Sequence, residues 1–358
     1  MSMRVVSQGD VSGKTVVLRV DFNEPVSGGI VADDFRIRSA METLELFRTA
    51  GAKVLLISHR SDGGSNGPLL KYFEGKILVG PLCGSIDEAR LALSGEAKIV
   101  ALENVRYFKG EEENDQELAK SIASLGDVFV NEAFSASHRN HASIVSLPKY
   151  LPSFAGIRFA REVKELQKAL NPGTPALAIV GGVKLQTKIP LITKLAGVYN
   201  NVFVGGLSAV SIAKGESKEF LPENVVSAPD FIVETGSGKS VKQATELLQE
   251  DKALDVGPDS LETVKRLTSS SKFIIWNGPM GFFEGGYTEG TNGVADIVSK
   301  SAAYTIVGGG DTLSAIKGNH DVSDFSFVST GGGAMLEFLT NGTLPGIEAL
   351  KNNFTLRN

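Results

Sequence analysis

Short segments of mostly apolar residues recur along the chain, with apolar side chains at consecutive rather than alternating positions. Segments of this length and composition are typical of strands that are buried on both faces of a sheet. Nine segments have this pattern: TVVLRVDF (15–22), AKVLLISH (52–59), AKIVALEN (97–104), DVFVNEAF (127–134), PALAIVGG (175–182), NVFVGGL (201–207), FIIWNG (273–278), YTIVGGGD (304–311) and FSFVSTGGG (325–333).

Helical patterns lie between many of these segments. METLELFRTAG (41–51) and NDQELAKSIASLG (114–126) carry apolar residues at helical spacing, and each ends at a glycine. Buried strands that alternate with amphipathic helices predict an α/β fold in which helices cover both faces of a parallel sheet. We therefore predict a doubly wound, Rossmann-like fold.

The chain divides into two such blocks. Between them lies LPKYLPSFAGIRFAREVKELQKALNPGTP (147–175), in which prolines flank a helical pattern at 157–170. We predict a first domain at 1–152, a hinge helix within 153–170, and a second domain at 171–344. At 358 residues the chain is long enough for two domains, each with its own core.

The composition excludes several classes of protein. A net charge of −5 does not provide the basic face that nucleic acid requires, so we predict no nucleic-acid partner. No segment approaches the ~18 apolar residues that span a membrane, and the N-terminus has no apolar signal-peptide core. The single cysteine, Cys83, excludes an internal disulfide and fits a reducing compartment, so we predict a cytoplasmic protein.

The residues that follow the strands differ between the two blocks. The strands are followed by charged side chains in the first block and by glycines in the second. Eleven of the 13 arginines lie in residues 1–170, and 25 of the 40 glycines lie in residues 171–358. Ligands of parallel sheets bind beyond the carboxyl ends of the strands. Arginine forks bind carboxylate and phosphate, whereas glycine lets backbone N–H groups approach a phosphate. We predict two anion sites of different construction, although drift in surface residue usage would give similar counts.

The segment SHRNHAS (137–143) places His138, Arg139 and His141 after a predicted strand. Three interpretations are open. The histidines could bind a metal together with Glu132, but a zinc site needs three or four ligands and the chain has only four histidines. The segment could also be a capped turn with solvated polar groups. We favour an oxyanion pocket shared with Arg36, His59 and Arg106, because all these residues occupy comparable positions after strands.

Two segments resemble P-loops without satisfying the motif. ETGSGKS (234–240) and GDVSGKT (9–15) lack the first glycine of G-x-x-x-x-G-K-[ST], since Val233 and Gln8 stand there. We expect both to be loops, with Lys14 leading directly into a strand.

Two glycine-rich turns, by contrast, precede helical patterns. GGGDT (308–312) and STGGGA (329–334) each open an apparent helix, and the free N–H groups at helix N-termini bind phosphate. Asp311 at the first turn is either a ligand of hydrated Mg²⁺ or an N-cap.

Motifs along nearly the whole chain resemble those of the phosphoglycerate kinase family, in the same order. The matching segments are RVDFNEPV (19–26), DDFRIRSA (33–40), ISH (57–59), LENVRYFKGEEE (102–113), VNEAFSASHRNHAS (130–143), GGVKLQTKI (181–189), LDVGPDS (254–260), IIWNGPMGFFE (274–284), IVGGGDT (306–312), VSTGGGAMLEFL (328–339) and LPGIEAL (344–350).

This resemblance implies roles for individual residues. Those that match the family's 3-phosphoglycerate side are Asp21, Asn23, Arg36, His59, Arg106 and Arg139. Those that match its nucleotide side are Lys184, Lys188, Gly205, Asn277, Pro279, Glu284, Gly308, Gly309, Gly310, Asp311 and Thr312. The implied catalytic groups are Arg36, Lys184, Gly332 and Gly333.

Within the nucleotide side, the resemblance implies that Lys184 and Lys188 face the transferred group and the phosphates. Glu284 matches the glutamate that binds the ribose, Asp311 the Mg²⁺ ligand, and Thr312 a phosphate contact. The tail at 345–358 is expected to pack back on the first domain, as similar family tails do.

The resemblance also implies a reaction. The family transfers the acyl phosphate of 1,3-bisphosphoglycerate to MgADP, which gives 3-phosphoglycerate and MgATP. Such a transfer proceeds in line without a protein nucleophile, so catalysis should come from positioning and from cationic and N–H groups. We expect a monomer whose hinge closes to bring the two substrates together.

The chain departs from the family's motifs at three positions. SHRSDGG replaces the usual SHLGRP, so that Arg60 follows His59 directly, and we expect Arg60 to be a solvated loop arginine. Thr187 replaces the aspartate of GGAKVxDK, and Glu132 replaces the aspartate of VNDAF. Neither of these two changes involves the proposed transferring groups.

Two other functions fit two parallel-sheet domains. A nicotinamide-dependent dehydrogenase should carry G-x-G-x-x-G in its first strand–helix turn, and no such motif follows TVVLRVDFN. A binding protein without activity would have lost Arg36, Lys184 or Asp311, and all three are present.

Overall fold

The computed structural model describes residues 3–74, 79–216, 221–236 and 238–356. The chain forms two compact units, and each is described separately. Unit 1 comprises residues 1–164 and 343–358, and unit 2 comprises residues 165–342. Residues 357 and 358 of the expected C-terminal tail lie outside the described residues.

Unit 1 is built around a parallel sheet. Its central strands are almost entirely buried, as expected for a sheet covered on both faces. The strands of unit 1 are β1 (Thr15–Arg19), β2 (Val26–Ser27), β3 (Ile30–Val31), β4 (Lys53–Ile57), β5 (Val79–Cys83), β6 (Ile99–Leu102), β7 (Val128–Asn131) and β8 (Ser153–Ala155). In the part of the chain that is described, the sheet has the order β5-β6-β4-β1-β7-β8, and β2 and β3 form a separate antiparallel pair.

Helices connect these strands. Two of them begin at side-chain caps, because Ser85 accepts a hydrogen bond from the Glu88 N–H and Asp115 accepts one from the Leu118 N–H. The helices up to the unit boundary are α1 (Gln8–Val11), α2 (Phe35–Ser39), α3 (Met41–Thr49), α4 (Gly67–Phe73), α5 (Ile86–Ser94), α6 (Gln116–Ala123) and α7 (Ile157–Leu170).

Unit 2 contains a second parallel sheet. The strands of the unit are β9 (Ala176–Val180), β10 (Asn201–Val204), β11 (Val225–Ser227), β12 (Asp230–Thr235), β13 (Gly238–Gln243), β14 (Lys252–Val256), β15 (Phe273–Asn277), β16 (Tyr304–Gly308) and β17 (Phe327–Ser329). Within the described ranges, the parallel sheet has the order β11-β10-β9-β15-β16-β17, and β13-β12-β14 form an antiparallel sheet.

The helices of unit 2 alternate along the chain with its strands. They are α8 (Leu185–Ala196), α9 (Gly206–Ala213), α10 (Pro258–Ser269), α11 (Glu289–Ser299), α12 (Gly310–Ile316) and α13 (Gly332–Asn341). None of the helices in the described residues is long and apolar enough to span a lipid bilayer.

The predicted fold class is confirmed, since all nine predicted strands occur and the helices at 41–51, 114–126 and 157–170 are present. The antiparallel sheet was not predicted, because strands such as β13 are half exposed and carry polar residues. Of the two segments that resemble P-loops, 9–15 contains the short helix α1 and leads into β1. The described residues of 234–240, which exclude residue 237, belong to the β12–β13 hairpin.

A final helix, α14 (Pro345–Leu356), packs within unit 1 against the segment 142–149 and β8. The buried amide of Asn353 ties it there. Its Oδ1 accepts a hydrogen bond from the Ser153 N–H at 3.2 Å, and its Nδ2 donates to the carbonyls of Pro148 and Leu151.

The buried carboxylate of Glu132 caps the N-terminus of α7. It accepts hydrogen bonds from the N–H groups of Arg158 and Phe159 at 3.1 and 3.0 Å, and from the hydroxyl of Thr43. Burial raises the pKa of Glu132 to about 7, although these donors act in the opposite direction. Glu132 therefore pairs the free N–H groups at the start of α7 and is not available as a ligand for a metal at His138 and His141.

Substitution of Gly156 by alanine should disrupt this cap. A Cβ at Gly156 would lie 1.9 Å from Oε2 of Glu132 and 2.4 Å from its Cδ, so the buried carboxylate would have to move. We expect Gly156→Ala to lower the free energy of unfolding of unit 1 by about 2–3 kcal/mol, measured by urea titration with far-UV circular dichroism.

Gly9→Ala is the matched control, because a Cβ at Gly9 meets no atom within 4 Å. Fluorescence of Trp276, the only tryptophan of the sequence, reports on unit 2 and separates the two units. An unfolding curve of Gly156→Ala equal to that of Gly9→Ala would contradict the role of Glu132.

Candidate active site

In unit 1, polar side chains gather where β1 and its neighbours end. Because β4, β1 and β7 are adjacent and parallel, the segments that follow them lie at the same edge of the sheet. Asp21 follows β1, His59 follows β4, and Arg139 lies in the segment after β7. Charge interactions link each of these three residues to its neighbours in the cluster.

Arg36 is held at three points by the segment that follows β1. Its Nη1 donates to the carbonyl of Asn23 at 2.9 Å and lies 3.3 Å from Oδ2 of Asp21. Its backbone N–H donates to Oε1 of Glu24 at 2.6 Å. Asp21 raises the pKa of Arg36; burial acts to raise the pKa of Asp21, but Arg36 and its other neighbours lower it. The arginine is therefore charged and oriented before any ligand binds.

Glu24 was not among the predicted site residues. Its side chain is buried, and burial raises its pKa to about 7. The only signal in the sequence was an acidic residue between Asn23 and Pro25, and no sequence pattern indicated that its carboxylate would accept the N–H of Arg36.

Asn23 holds a neighbouring loop. Its Nδ2 donates to Oγ of Ser61 at 3.0 Å, and its Oδ1 accepts a hydrogen bond from the Ser61 N–H at 2.8 Å. The expectation of a solvated Arg60 in this loop is wrong. Arg60 is 4% exposed, forms an ion pair with Asp62 and donates to the carbonyl of Ser65. The loop thus neutralises its own arginine instead of leaving it to solvent.

The positive charge of this cluster comes from arginines rather than histidines. Burial lowers the pKa of His59 to about 3 and that of His141 to about 4, and nearby arginines add to both effects. Both rings are neutral at physiological pH. Among the described residues, no group of three His, Cys, Asp or Glu side chains is arranged to hold a metal, so the metal interpretation of 137–143 finds no support.

Several buried polar atoms of this cluster have no hydrogen-bond partner within the described part of the chain. Among them are Oδ1 of Asp21, Nε of Arg106 and Nε of Arg139. Buried polar atoms in proteins are normally paired with protein or water. An acceptor and a donor without protein partners in one cluster indicate a place where a ligand with both hydroxyl and anionic oxygens can bind. Arg106 lies 3.2 Å from Oε1 of Glu112 through its Nε.

In unit 2, a cavity of about 540 Å³ opens at the carboxyl ends of the strands of the parallel sheet. Its volume is in the range of sites for nucleotide-sized ligands. The predicted residues that line it are Lys184, Lys188, Asn277, Pro279, Glu284, Gly309, Gly310, Asp311, Thr312, Gly332 and Gly333. Gly205 and Gly308 are not among the described lining residues. A Cβ on either would collide with a methionine sulfur, Met280 for Gly205 and Met335 for Gly308, so both lie in packed backbone.

The two glycine-rich turns require glycine for conformational reasons. Gly309 precedes α12 with φ +107°, and Gly332 begins α13 with φ +42°. A side chain would be strained at either φ value. A Cβ at Gly309 would also lie 3.0 Å from Nδ2 of Asn277. These turns present backbone rather than side chains to the cavity.

Polar side chains beneath the turns hold them in place. The buried hydroxyl of Thr312 accepts a hydrogen bond from the Gly278 N–H at 2.8 Å, and Nδ2 of Asn277 donates to the carbonyl of Gly308 at 2.9 Å. Both residues therefore have a structural partner at the cavity wall, in addition to any contact with a ligand.

Two lysines, Lys184 and Lys188, and two carboxylates, Asp311 and Glu284, supply the charges of the cavity. Nζ of Lys188 donates to the carbonyl of Gly181, and burial lowers the pKa of Lys188 to about 8, while Asp311 acts to raise it. Lys184 precedes α8 and is exposed. Asp311 is exposed in the first turn of α12.

Asp255 is a second residue that sequence reasoning missed. Its Oδ2 accepts a hydrogen bond from the Gly290 N–H at 2.9 Å, and the adjacent Leu254 carbonyl accepts one from the Phe282 N–H at 2.7 Å. These bonds anchor both ends of the loop that carries Phe282 and Glu284 on the cavity wall. Burial raises the pKa of Asp255 to about 6.

The family model for phosphoglycerate kinase matches residues 6–219 and 209–342. The phosphoglycerate kinase of Coprothermobacter proteolyticus is 37% identical over 391 residues, which cover 98% of this chain and 99% of that protein. The phosphoglycerate kinase of Wolbachia pipientis wMel is 37% identical over 399 residues, with the same coverage.

Solved structures of phosphoglycerate kinases are also similar to this chain. The phosphoglycerate kinase of Coxiella burnetii has a TM-score of 0.79 and 33% identity, and the match covers 97% of this chain and 99% of that one. The enzyme of Pyrococcus horikoshii OT3 has a TM-score of 0.86 at 23% identity, covering 99% and 100%, and supports the fold alone. The matches in sequence extend over nearly the full length, and we conclude that this chain belongs to the phosphoglycerate kinase family.

Proposed function

We propose that unit 1 binds 3-phosphoglycerate and 1,3-bisphosphoglycerate at its arginine cluster, and that unit 2 binds ADP and ATP in its cavity. Enzymes of this family are kinases that transfer a phosphoryl group between these substrates in glycolysis. The observation that supports the assignment of unit 1 is a set of buried atoms without hydrogen-bond partners, namely Oδ1 of Asp21 and the Nε atoms of Arg106 and Arg139, in the cluster that also contains the fixed guanidinium of Arg36. A hydroxy acid with a phosphate offers both a donor and acceptors to such a cluster.

The proposed substrate contacts in unit 1 are made by two kinds of groups. Arg36, Arg106 and Arg139 offer charged donors to the carboxylate and the phosphate. Asp21 accepts from the substrate hydroxyl, and neutral His59 donates. Asn23 contributes by holding the loop at Ser61 beside the site.

The proposed nucleotide contacts in unit 2 rest on backbone groups and lysines. The turns at 308–310 and 331–333 offer N–H groups to phosphates. Lys184 and Lys188 add positive charge, and Glu284 on the anchored loop accepts hydrogen bonds from the ribose hydroxyls. Gly205 and Gly308 support the cavity from behind, where a side chain would collide with a methionine.

Mg²⁺ is part of the proposed nucleotide substrate. Mg²⁺ keeps several waters and is commonly held by one or two carboxylates together with phosphates. The exposed carboxylate of Asp311 on the cavity wall fits this chemistry. When bound, the metal neutralises charge on the phosphates; the residues of the chain position them.

The mechanism we propose uses no protein nucleophile. The carboxylate oxygen of 3-phosphoglycerate attacks the γ-phosphorus of ATP in line, the bond to the β-phosphate oxygen breaks, and ADP leaves. Negative charge spreads over the equatorial oxygens of the migrating group. Arg36, Lys184 and the N–H groups of Gly332 and Gly333 stabilise that charge, since preorganised donors are worth most where charge develops.

We further propose that closure about α7 brings the two substrates together and excludes water from the transfer. We also propose that the enzyme works as a monomer in the cytoplasm; its single cysteine is compatible with a reducing compartment.

A coupled assay tests the function directly. The purified protein should form ATP from 1,3-bisphosphoglycerate and MgADP, and it should run the reverse reaction with 3-phosphoglycerate and MgATP. Binding of both substrates without turnover would instead identify a noncatalytic binding protein. Turnover of a nicotinamide cofactor by the purified protein would support a dehydrogenase.

Removal of a transferring group should lower turnover and leave the fold intact. We expect Arg36→Ala and Lys184→Ala each to lower kcat by ~10²–10³, because each loses a donor to the migrating phosphoryl group. Steady-state kinetics in the coupled assay measures the effect, and circular dichroism checks the fold.

Both substitutions have matched controls: Arg38 lies with Arg36 on α2, and Lys194 lies on α8, the helix that Lys184 precedes. Arg38 is 64% exposed and pairs with Asp34 at the surface, and Lys194 is exposed near the end of α8. Arg38→Ala and Lys194→Ala should retain turnover within about twofold, as most surface substitutions do. Near-normal turnover of Arg36→Ala or Lys184→Ala would remove that residue from the mechanism.

The lowered pKa of Lys188 predicts a pH dependence. The lysine is charged below its pKa of about 8 and loses its charge above it. We therefore expect kcat/KM for MgATP to fall about tenfold between pH 8 and pH 9.5, measured at saturating 3-phosphoglycerate. Lys188→Arg keeps its charge throughout this range and should flatten the profile above pH 8, whatever its absolute rate. The same decline in Lys188→Arg would assign the pH dependence to another group.

A further inference from the structure

A buried arginine that has no assigned role, Arg19, lies against the imidazole of His59. Arg19 is the last residue of β1 and is 1% exposed. Its Nη2 lies 3.2 Å from Nδ1 of His59, its Nε donates to Oγ of Ser143 at 2.9 Å, and its Nη1 donates to the carbonyl of Val20 at 2.5 Å. Each of the three guanidinium nitrogens has a defined partner, so the orientation of the group is fixed.

A buried carboxylate supports this arrangement. Oγ of Ser143 donates to Oε1 of Glu111 at 2.6 Å, and the Ser143 N–H donates to Oε2 at 3.0 Å. Burial acts to lower the pKa of Arg19, whereas the charges of Glu111 and Asp21 act to raise it. Arginine has no acceptor and keeps its proton in proteins, so the only hydrogen bond it can make with His59 is one that it donates.

We propose that Arg19 is a positioning residue that holds His59 in a single neutral tautomer, with the ring proton on Nε2. Nδ1 accepts from Arg19, and a proton on Nδ1 would point at the guanidinium N–H. The Nε2–H is then the only ring donor of His59, and it has no acceptor among the described residues. The inference rests on the proposed function, in which His59 binds 3-phosphoglycerate. It specifies which ring nitrogen of His59 donates to a substrate oxygen.

The surroundings of His59 also keep its ring neutral. The charged groups that face the ring from the surrounding elements are Arg19, Asp21, Arg106 and Arg139. Burial has the largest effect and, together with the three cationic groups, lowers the pKa of His59 far below its ordinary value, whereas Asp21 acts to raise it. Most histidines titrate between pH 5 and 8. His59 is therefore a donor of constant protonation through the physiological range.

Nitrogen-15 NMR of the full-length, ligand-free protein tests the proposal. Two-bond correlation spectra distinguish protonated from unprotonated ring nitrogens, and the His59→Asn variant assigns the His59 signals among the four histidines. We expect an unprotonated Nδ1, a protonated Nε2, and no titration between pH 5 and pH 8. A proton on Nδ1, or a midpoint near 6.5, overturns the proposal without any need for a variant of Arg19.

Arg19→Met then tests whether Arg19 is the cause. The variant should show both tautomers of His59, and the pKa of its ring should be higher than in the wild-type protein, because one neighbouring cation is lost. Its KM for 3-phosphoglycerate should rise about tenfold at pH 8, while the KM for MgATP stays unchanged. Arg48→Met, at an exposed arginine of the same unit, should match the wild-type protein in every measurement.

A purely structural role of Arg19 predicts a different result, namely lower stability with the same His59 tautomer, and that result overturns the proposal. If Arg19→Met does not fold, Ser143→Ala takes its place, because it removes the acceptor that orients Nε of Arg19. Ser143→Ala should then show a second His59 tautomer, and a spectrum identical to wild type contradicts the proposal.

The two proposals fail separately. The tautomer is measured without substrate, so the predicted spectrum in a protein that forms no ATP would contradict the proposed function alone. Normal ATP formation with the proton on Nδ1 would contradict this inference alone.

Discussion

The common direction of the strands in each parallel sheet is the constraint on which both candidate sites depend. Parallel strands end at the same edge, so segments that are far apart in the sequence meet there. In unit 1 this brings residues that follow β1, β4 and β7 into one cluster. In unit 2 it brings the glycine turns that follow β9, β15, β16 and β17 to one cavity. The helices matter for the sites mainly because they cover the sheets and add residues such as Arg36 and Lys184.

The proposed anion sites of the two units are built from different kinds of groups. Unit 1 keeps fixed guanidinium groups partly or fully buried, and it compensates them with carboxylates such as Asp21 and Glu111. Unit 2 relies on backbone turns whose glycines adopt conformations that other residues avoid, with two lysines beside them. Side chains can discriminate a small substrate by shape and charge, whereas backbone N–H groups suit phosphates that recur in every nucleotide.

Three buried carboxylates share a function that is distinct from ligand binding. Glu24 accepts the N–H of Arg36, Glu132 caps α7, and Asp255 anchors the loop that carries Glu284. Burial raises the pKa of all three, to about 7, 7 and 6. Each takes up backbone donors that would otherwise be unpaired, and each does so next to a segment with a proposed role. Positioning in this protein thus rests on acidic residues outside the set of proposed ligands.

The sequence by itself determined the fold class, the main strands and the identity of the family, because continuous apolar segments and ordered motifs are local properties of the chain. It also led to the proposal that Arg36, His59, Lys184 and Asp311 are site residues, through their positions after predicted strands and through the resemblance of their motifs to those of the family. Only the tertiary structure decided which side chains pair. Three examples are the inward turn of Arg60, the cap formed by Glu132 and the contact of Arg19 with His59. They join residues up to 89 positions apart or depend on burial. Hydrogen bonding and pKa values depend on three-dimensional neighbours and on exclusion of water, and neither is encoded in the local order of residues.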